Sequence, residues 1–141
     1  MESPSSFALV KEFVQNILLC GCPESVFDSI EIFPEASIRI HDERVQIAKK
    51  LIIGQKLLIH LVSGDQFESL THETIERLLL HGQNARNARD LNRFRLVLYF
   101  ETPPQKEFPM EKISVDDRVH LHILGNTQEL NDLLSLGKGR T

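Results

Sequence analysis

The sequence predicts an α/β or α+β fold, in which helices cover a mixed sheet of four to five strands and an amphipathic helix comes first. Stretches with strand-like alternation of apolar side chains are separated by stretches in which apolar residues recur with helical spacing. The 141 residues are 41% hydrophobic and 26% charged, a composition that can bury a core without a disulfide or a metal. Because no internal repeat or Gly/Ser linker divides the chain, we expect one globular domain over residues 1–141, with a disordered tail at 137–141.

The first element is an amphipathic helix predicted over residues 6–19. Its apolar side chains recur at i, i+3, i+4, i+7 and i+8, as Val10, Phe13, Val14, Ile17 and Leu18. Polar residues occupy the opposite side of this stripe, and Gly21 followed by Pro23 is a typical end for a helix. The apolar side must be buried against the rest of the domain or against a second copy of the chain.

The next segments are predicted as strands, with one exception. Residues 30–33 and 38–41 alternate apolar and polar side chains, as half-buried strands do. Residues 45–53 fit both a helical stripe and a strand-like alternation, and we favour a helix that ends at Gly54. Residues 56–62 form a short apolar run between glycines, which predicts a strand in the interior of the sheet.

The second half of the chain continues the alternation of helices and strands. A helix is predicted over residues 71–81, with Gly82 interrupting it. Strands are predicted over 94–100, from its β-branched and aromatic composition, and over 118–124, from its alternation. A helix over 126–136 carries its apolar residues at helical spacing.

Charge is unevenly distributed along the chain, although the net charge is only −4. Residues 1–43 carry a net charge of −6, residues 44–100 carry +4 and residues 101–141 carry −2. A basic middle between acidic ends indicates either charge complementarity within the fold or a cationic surface that binds a partner.

The basic middle is dominated by arginines. It contains Arg77, Arg86, Arg89, Arg93 and Arg95, with Asp90 as the one acid between the first and the last. Arg86, Arg89 and Arg93 follow i, i+3, i+7, which is one face of a helix if the helix extends that far. Guanidinium groups bind carboxylates and phosphates in a bidentate manner, so we predict that these three arginines are an exposed partner-binding surface.

An acidic protein is the partner that we favour, with a homodimer of the chain as an alternative. Nucleic acid ranks lower because the sequence pI is about 5.8 and the chain has no tryptophan and a single tyrosine. No aromatic residue lies among the arginines before Phe94 either. We expect no membrane association, since no apolar run approaches the roughly 18 residues that span a bilayer.

Two further groups of residues are candidate sites. His120 and His122 lie two apart on a predicted strand, so they share a face, but the pattern favours two partly exposed histidines over a metal site. Asp65, Glu101 and Asn126 each follow a predicted strand, and would share one edge of a parallel sheet, where α/β proteins bind ligands. We predict no bound metal and no cofactor.

The function predicted from these observations is that of a non-catalytic, cytoplasmic protein-interaction or adaptor domain. The sequence contains no phosphate-binding loop, dinucleotide fingerprint, nucleophile elbow or zinc-protease motif, which argues against the well-marked classes of enzyme. A nucleic-acid-associated protein that uses the arginines is the first alternative. A small enzyme with its site at the strand-end loops is the second.

The first helix gives a direct test of the predicted core. Replacing Phe13 by alanine should lower the free energy of unfolding by about 3–5 kcal/mol, because the change leaves a cavity where the ring was buried. Chemical denaturation measures this difference. Glu12→Ala, on the polar side of the helix, is the control and should change the free energy by less than about 0.5 kcal/mol. Equal stabilities of the Phe13 variant and the wild type would show that this helix packs against nothing.

Overall fold

A computed structural model of the chain describes residues 6–17, 29–33, 35–40, 43–67, 71–101, 118–125 and 128–134. The helices are α1 (Ser6–Glu12), which continues as a π-helical turn over Phe13–Ile17, α2 (His72–Ala88) and α3 (Gln128–Leu134). The strands are β1 (Ile30–Phe33), β2 (Ala36–Ile40), β3 (Glu43–Ile47), β4 (Lys49–Ile53), β5 (Leu57–Ser63), β6 (Arg93–Tyr99) and β7 (Val119–Leu124). A short 3₁₀ turn, Gly64–Gln66, follows β5.

Five strands form one mixed sheet in the order β1-β4-β5-β6-β7, which confirms the predicted fold class. The pairs β1–β4 and β4–β5 are antiparallel, whereas β5–β6 and β6–β7 are parallel. Strand β1 therefore runs in the same direction as β5, β6 and β7. The predicted interior position of residues 56–62 is confirmed, because β5 pairs with both β4 and β6 and is buried from Leu57 to Val62.

Each face of this sheet has its own apolar core, because successive side chains of a strand point to opposite faces. On the first face, α1, the π-helical turn and α3 cover the sheet, and Phe13 packs there with Leu51, Ile59 and Val97. On the second face, α2 packs against the alternate residues of the strands, including Leu58 and Leu96. We call these the first and second faces of the sheet below.

A separate two-stranded hairpin of β2 and β3 covers part of the second face. Ile40, Val45 and Ile47 point inward from the hairpin and join the core beneath α2, while Glu43, Arg44 and Gln46 are exposed. The helix predicted over residues 45–53 is therefore wrong, because this segment forms β3 and β4. Strand β4 is buried on both faces, so its apolar residues are consecutive. Such a run fits both the helical spacing of 3.6 residues and the strand spacing of two.

Helix α2 is longer than predicted, since it passes through Gly82 without interruption and ends at Ala88. Thr71 caps its first turn by accepting a hydrogen bond from the backbone N–H of Thr74 at 3.2 Å. A Cβ atom at position 82 would collide with the ring of Phe94 on β6. The glycine therefore allows the helix to lie close to the sheet.

The other predicted elements agree with the structure where it describes them. The helices predicted at the two ends of the chain are present as α1 with its π-helical turn and as α3, and the strands predicted over 94–100 and 118–124 are β6 and β7. Phe13 is 1% exposed. Cys20, Cys22 and the tail at 137–141 lie outside the described residues. No helix in the described ranges is long and apolar enough to cross a membrane.

The contact between Gly82 and Phe94 has a measurable consequence. Helix propensity alone predicts that Gly82→Ala stabilises an α-helix by about 1 kcal/mol. In this protein we expect the opposite, a loss of about 1–3 kcal/mol, because the new methyl group must displace the Phe94 ring. Urea denaturation measures the change, and Asn84→Ala, at an exposed position of the same helix, should be neutral or slightly stabilising. A more stable Gly82→Ala variant would disprove the close approach.

Candidate partner-binding surface

The three arginines predicted to form one exposed surface do not share one environment. Arg86 is 6% exposed, because the extended helix α2 places it on the same side as Gly82, four residues earlier. Its Nε and Nη2 groups donate to Oδ1 of Asn87 at 3.3 and 3.2 Å. Arg89 and Arg93 are exposed. The expectation of exposure is therefore wrong for Arg86 and confirmed for the other two.

Exposed basic residues gather at the end of the sheet where β5, β6 and β7 begin. The backbone N–H groups of Asn92 and Arg93 donate to the carbonyl oxygen of Lys56 at 2.8 and 2.9 Å. The N–H of Phe94 donates to the carbonyl of Arg118 at 3.0 Å, which places β7 beside them. Helix α2 ends at the same place. We call this group of exposed residues, Lys56, Arg89, Arg93 and Arg118, the basic end of the sheet.

Three of these four cations have side chains without a polar partner among the described residues, although the guanidinium of Arg89 lies over the Phe33 ring. In the described part of the chain, the side chains of Lys56, Arg89 and Arg93 make no hydrogen bond or ion pair. Arg118 Nη1 donates to Oδ1 of Asn92 at 3.0 Å. Since exposed cations contribute little to stability, these residues can be substituted, or can bind a partner, without unfolding the domain.

The opposite end of the sheet carries acids. Asp65 and Glu101 follow the parallel strands β5 and β6, and the N–H of Glu101 donates to Oδ2 of Asp65 at 2.8 Å, so the prediction that these two loops share an edge is confirmed. Glu35 follows β1 at this end too. Burial, followed by the charges of Glu35 and Asp65, raises the pKa of Tyr99. Asn126 lies outside the described residues. The exposed Glu35, Asp65 and Glu101 form the acidic end of the sheet.

The histidine pair lies on the first face of the sheet, beside Arg95. His120 is exposed and His122 is half-buried, on the face opposite to the apolar residues of β7 as predicted. Arg95 is 8% exposed, and its Nη1 lies 2.8 Å from Nε2 of His122. Burial, the charge of Arg95 and that of His120 lower the pKa of His122 to about 4. His122 is therefore neutral at pH 7 and accepts the hydrogen bond from Arg95.

This arrangement does not resemble a metal centre. A carboxylate would have to join the two histidines to hold a metal, but Glu101 follows the far end of β6, and Asp117 lies outside the described residues. Among the residues that the structure describes, no three histidine, cysteine or acidic side chains come together where they could hold a metal ion.

A second group of cations and imidazoles, which sequence reasoning missed, lies on the second face of the sheet. Phe33, Lys50 and His60 are neighbours across the paired strands β1, β4 and β5. The Nζ atom of Lys50 lies 4.7 Å from the centroid of the Phe33 ring, and Cζ of Arg89 lies 5.4 Å from it. His81 of α2 faces His60 with ring centroids 6.0 Å apart.

His60 is the most deeply buried of these groups. It is 3% exposed and packs edge-on against Phe94, with 4.9 Å between ring centroids. Its Nε2 atom has no hydrogen-bond partner in the described part of the chain. Burial, and then the charges of His81 and Lys50, lower the pKa of His60 to about 3.

Comparison of the chain with protein-family models, with curated proteins and with solved structures finds no match. The function must therefore be argued from the surfaces themselves.

The low pKa of His60 predicts how stability depends on pH. Because an unfolded histidine binds a proton near pH 6.5 and His60 in the fold does so only near pH 3, the protein should lose stability as the pH falls between these values. The loss from this residue approaches about 1.4 kcal/mol per pH unit. His60→Leu should remove that part of the slope.

The measurement is the free energy of unfolding in urea at several pH values between neutrality and pH 4. Ile40→Val is the control, since it trims the same core from the β2–β3 hairpin but leaves both the imidazole and the Phe94 ring in place, and it should keep the slope of the wild type. An unchanged slope in His60→Leu would show that His60 takes up its proton normally in the folded protein.

Proposed function

We propose that the chain is a non-catalytic interaction domain of the cytoplasm, whose basic end binds an acidic segment of a partner protein. The observation that carries the proposal is the group formed by Lys56, Arg89 and Arg93, which are exposed together and make no side-chain hydrogen bond or ion pair in the described part of the chain. Guanidinium groups bind carboxylates through two parallel hydrogen bonds, so an acidic segment is the complementary ligand.

The framework beneath these residues supports a rigid binding surface. Arg93 begins β6, and its N–H is held by the carbonyl of Lys56 at the start of β5. Arg89 follows the last turn of α2, and its N–H donates to the carbonyl of Ala85 at 3.2 Å. Since the backbone of each cation is fixed by secondary structure, less conformational entropy is lost when a partner binds.

The strand-end loops support an interaction domain better than an enzyme. Asp65 was the candidate acid or base there, but its Oδ2 accepts the hydrogen bond from the N–H of Glu101 and so holds the turn after β6. A carboxylate in that role is a structural group of the acidic end.

Nucleic acid is the alternative ligand for a basic surface. The acidic end of the sheet and the net charge of −4 oppose a long polyanion, whereas a short acidic segment can contact the basic end alone. The acidic end of a second copy of the chain is also complementary to the basic end, so a homodimer is a further form of the proposed interaction.

The test is the double variant Arg89→Gln/Arg93→Gln, with a fluorescein-labelled oligo-glutamate peptide as the probe. We expect binding to weaken by about tenfold or more, because two charge-assisted contacts are lost. Thermal stability should change by less than about 1 kcal/mol, since both side chains are exposed. Fluorescence anisotropy and a thermal melt measure the two quantities.

Arg39→Gln/Arg44→Gln is the matched control, because it removes the same charge from two exposed arginines of the β2–β3 hairpin. It should leave peptide binding within about twofold of the wild type. Equal weakening by both double variants would contradict a specific site. Tight binding of duplex DNA, with affinity falling by roughly 0.9 log units per contact for each log unit of salt, would favour the nucleic-acid alternative.

A further inference from the structure

The group around Phe33 on the second face of the sheet concentrates positive charge at one aromatic ring. Lys50 and Arg89 both lie over that ring, at 4.7 and 5.4 Å from its centroid. In the described residues neither side chain makes an ion pair, although Glu31 and Asp90 line the adjoining cleft together with Arg89. The two cations are therefore held near each other without a counter-charge in contact.

The electrostatics of the neighbouring groups agree with this geometry. Burial and then the charge of Arg89 lower the pKa of Lys50. Burial and then the charge of Lys50 lower the pKa of His81, a half-buried residue of α2. The carboxylates of Glu31 and Asp90 line the adjoining cleft, but neither makes an ion pair with Lys50 or Arg89. An anion bound between Lys50 and Arg89 would relieve the repulsion between them.

Beneath these groups lies a second, independent observation. His60 is 3% exposed, its Nε2 has no hydrogen-bond partner in the described part of the chain, and its ring is 6.0 Å from that of His81. An apolar residue would fill this interior position without leaving a buried nitrogen unsatisfied. His60 thus places an unsatisfied nitrogen on the strand residue that pairs with Lys50.

We propose that Lys50, Arg89 and His81 form a binding site for the dianion of a phosphate monoester. The Arg89 guanidinium offers parallel N–H donors, Lys50 offers a point charge, and the imidazole of His81 offers one further N–H. A tetrahedral dianion has enough oxygens to accept from all three groups, and its charge matches the two cations.

The cleft beside Arg89 accommodates the organic part of such an ester. It measures about 510 Å³ and is lined by the carboxylates of Glu31 and Asp90, the amide of Gln55, and the side chains of Ile52 and Leu91, so the organic part that fits it carries hydrogen-bond donors. A phosphorylated side chain of a protein and a small phosphate ester share the chemistry that this site recognises. The site goes beyond the proposed function and shares only Arg89 with the basic end.

The test is a ¹H–¹⁵N NMR titration of the intact chain at about pH 7.5, where a phosphate monoester is mainly a dianion. The probes are inorganic phosphate, phenyl phosphate, a short peptide with one phosphoserine and the same peptide with serine. We expect saturable shifts at Phe33, Lys50 and the 81–89 segment with the phosphorylated probes, and none with the serine peptide. Tighter binding of phenyl phosphate or of the phosphopeptide identifies the source of the ester.

Lys50→Met keeps the aliphatic stem over Phe33 and removes the charge, and it should weaken phosphate binding by about tenfold or more. Lys56→Met, an exposed lysine of the basic end, is the matched control and should bind phosphate as the wild type does. If Lys50→Met fails to fold, Arg89→Gln replaces it, because Arg89 is exposed. Absence of saturable binding by the wild type, or equal binding by the folded Lys50→Met or Arg89→Gln variant, would overturn the proposal.

Arg93→Gln separates this site from the basic end. It should weaken the binding of oligo-glutamate and leave phosphate binding unchanged, whereas Lys50→Met should do the reverse. If the wild type binds phosphate but does not bind oligo-glutamate, the proposed function is refuted and the phosphate site is not. Loss of phosphate binding in Arg93→Gln would show that phosphate occupies the basic end, which contradicts the site at Phe33.

Discussion

The architecture depends on the burial of strand β5 on both of its faces. Six consecutive residues, Leu57 to Val62, are buried, so each face of the sheet must be covered by a separate layer. The helices at the two ends of the chain cover the first face, while α2 and the β2–β3 hairpin cover the second. Strand β5 is antiparallel to β4 and parallel to β6, so it also fixes the directions of the strands on its two sides. Strands β1, β5, β6 and β7 consequently begin at one end of the sheet and finish at the other.

Because the strands run in these directions, charges that are unevenly distributed along the chain lie at opposite ends of the sheet. The net positive charge of residues 44–100 does not cover one helical face, because Arg86 and Arg95 are buried on opposite sides of the sheet. The exposed charges that flank β6 differ in sign, with Arg93 where the strand begins and Glu101 beyond its end. A domain with oppositely charged ends orients an approaching charged partner before contact, and this effect weakens as salt is added.

Local patterns in the sequence predicted an element correctly where the pattern of apolar residues matched the burial of that element in the fold. The run at residues 56–62 predicted an interior strand because it is short, apolar and bounded by glycines, and the structure confirms this. The same reasoning failed at residues 45–53 because the alternation of β3 and the continuous apolar run of β4 together also fit a helical stripe. It failed at Gly82 because the reason for the glycine, the ring of Phe94, lies on another element. The cluster at Phe33 depends on the register of β1 against β4, which no local pattern contains.

Gly82 also determines the rotational phase of helix α2. The Phe94 ring fits against the helix only where a side chain is missing, so the helix cannot turn about its axis or slide without moving a larger residue onto the ring. Successive residues of an α-helix are about 100° apart around its axis. A slip of one residue in one direction would place Asp90 where Arg89 now lies beside Phe33, and a slip in the other direction would place Ala88 there, so neither keeps a cation over the ring. A residue without a side chain thus fixes the sign of the charge presented some seven positions further along the chain.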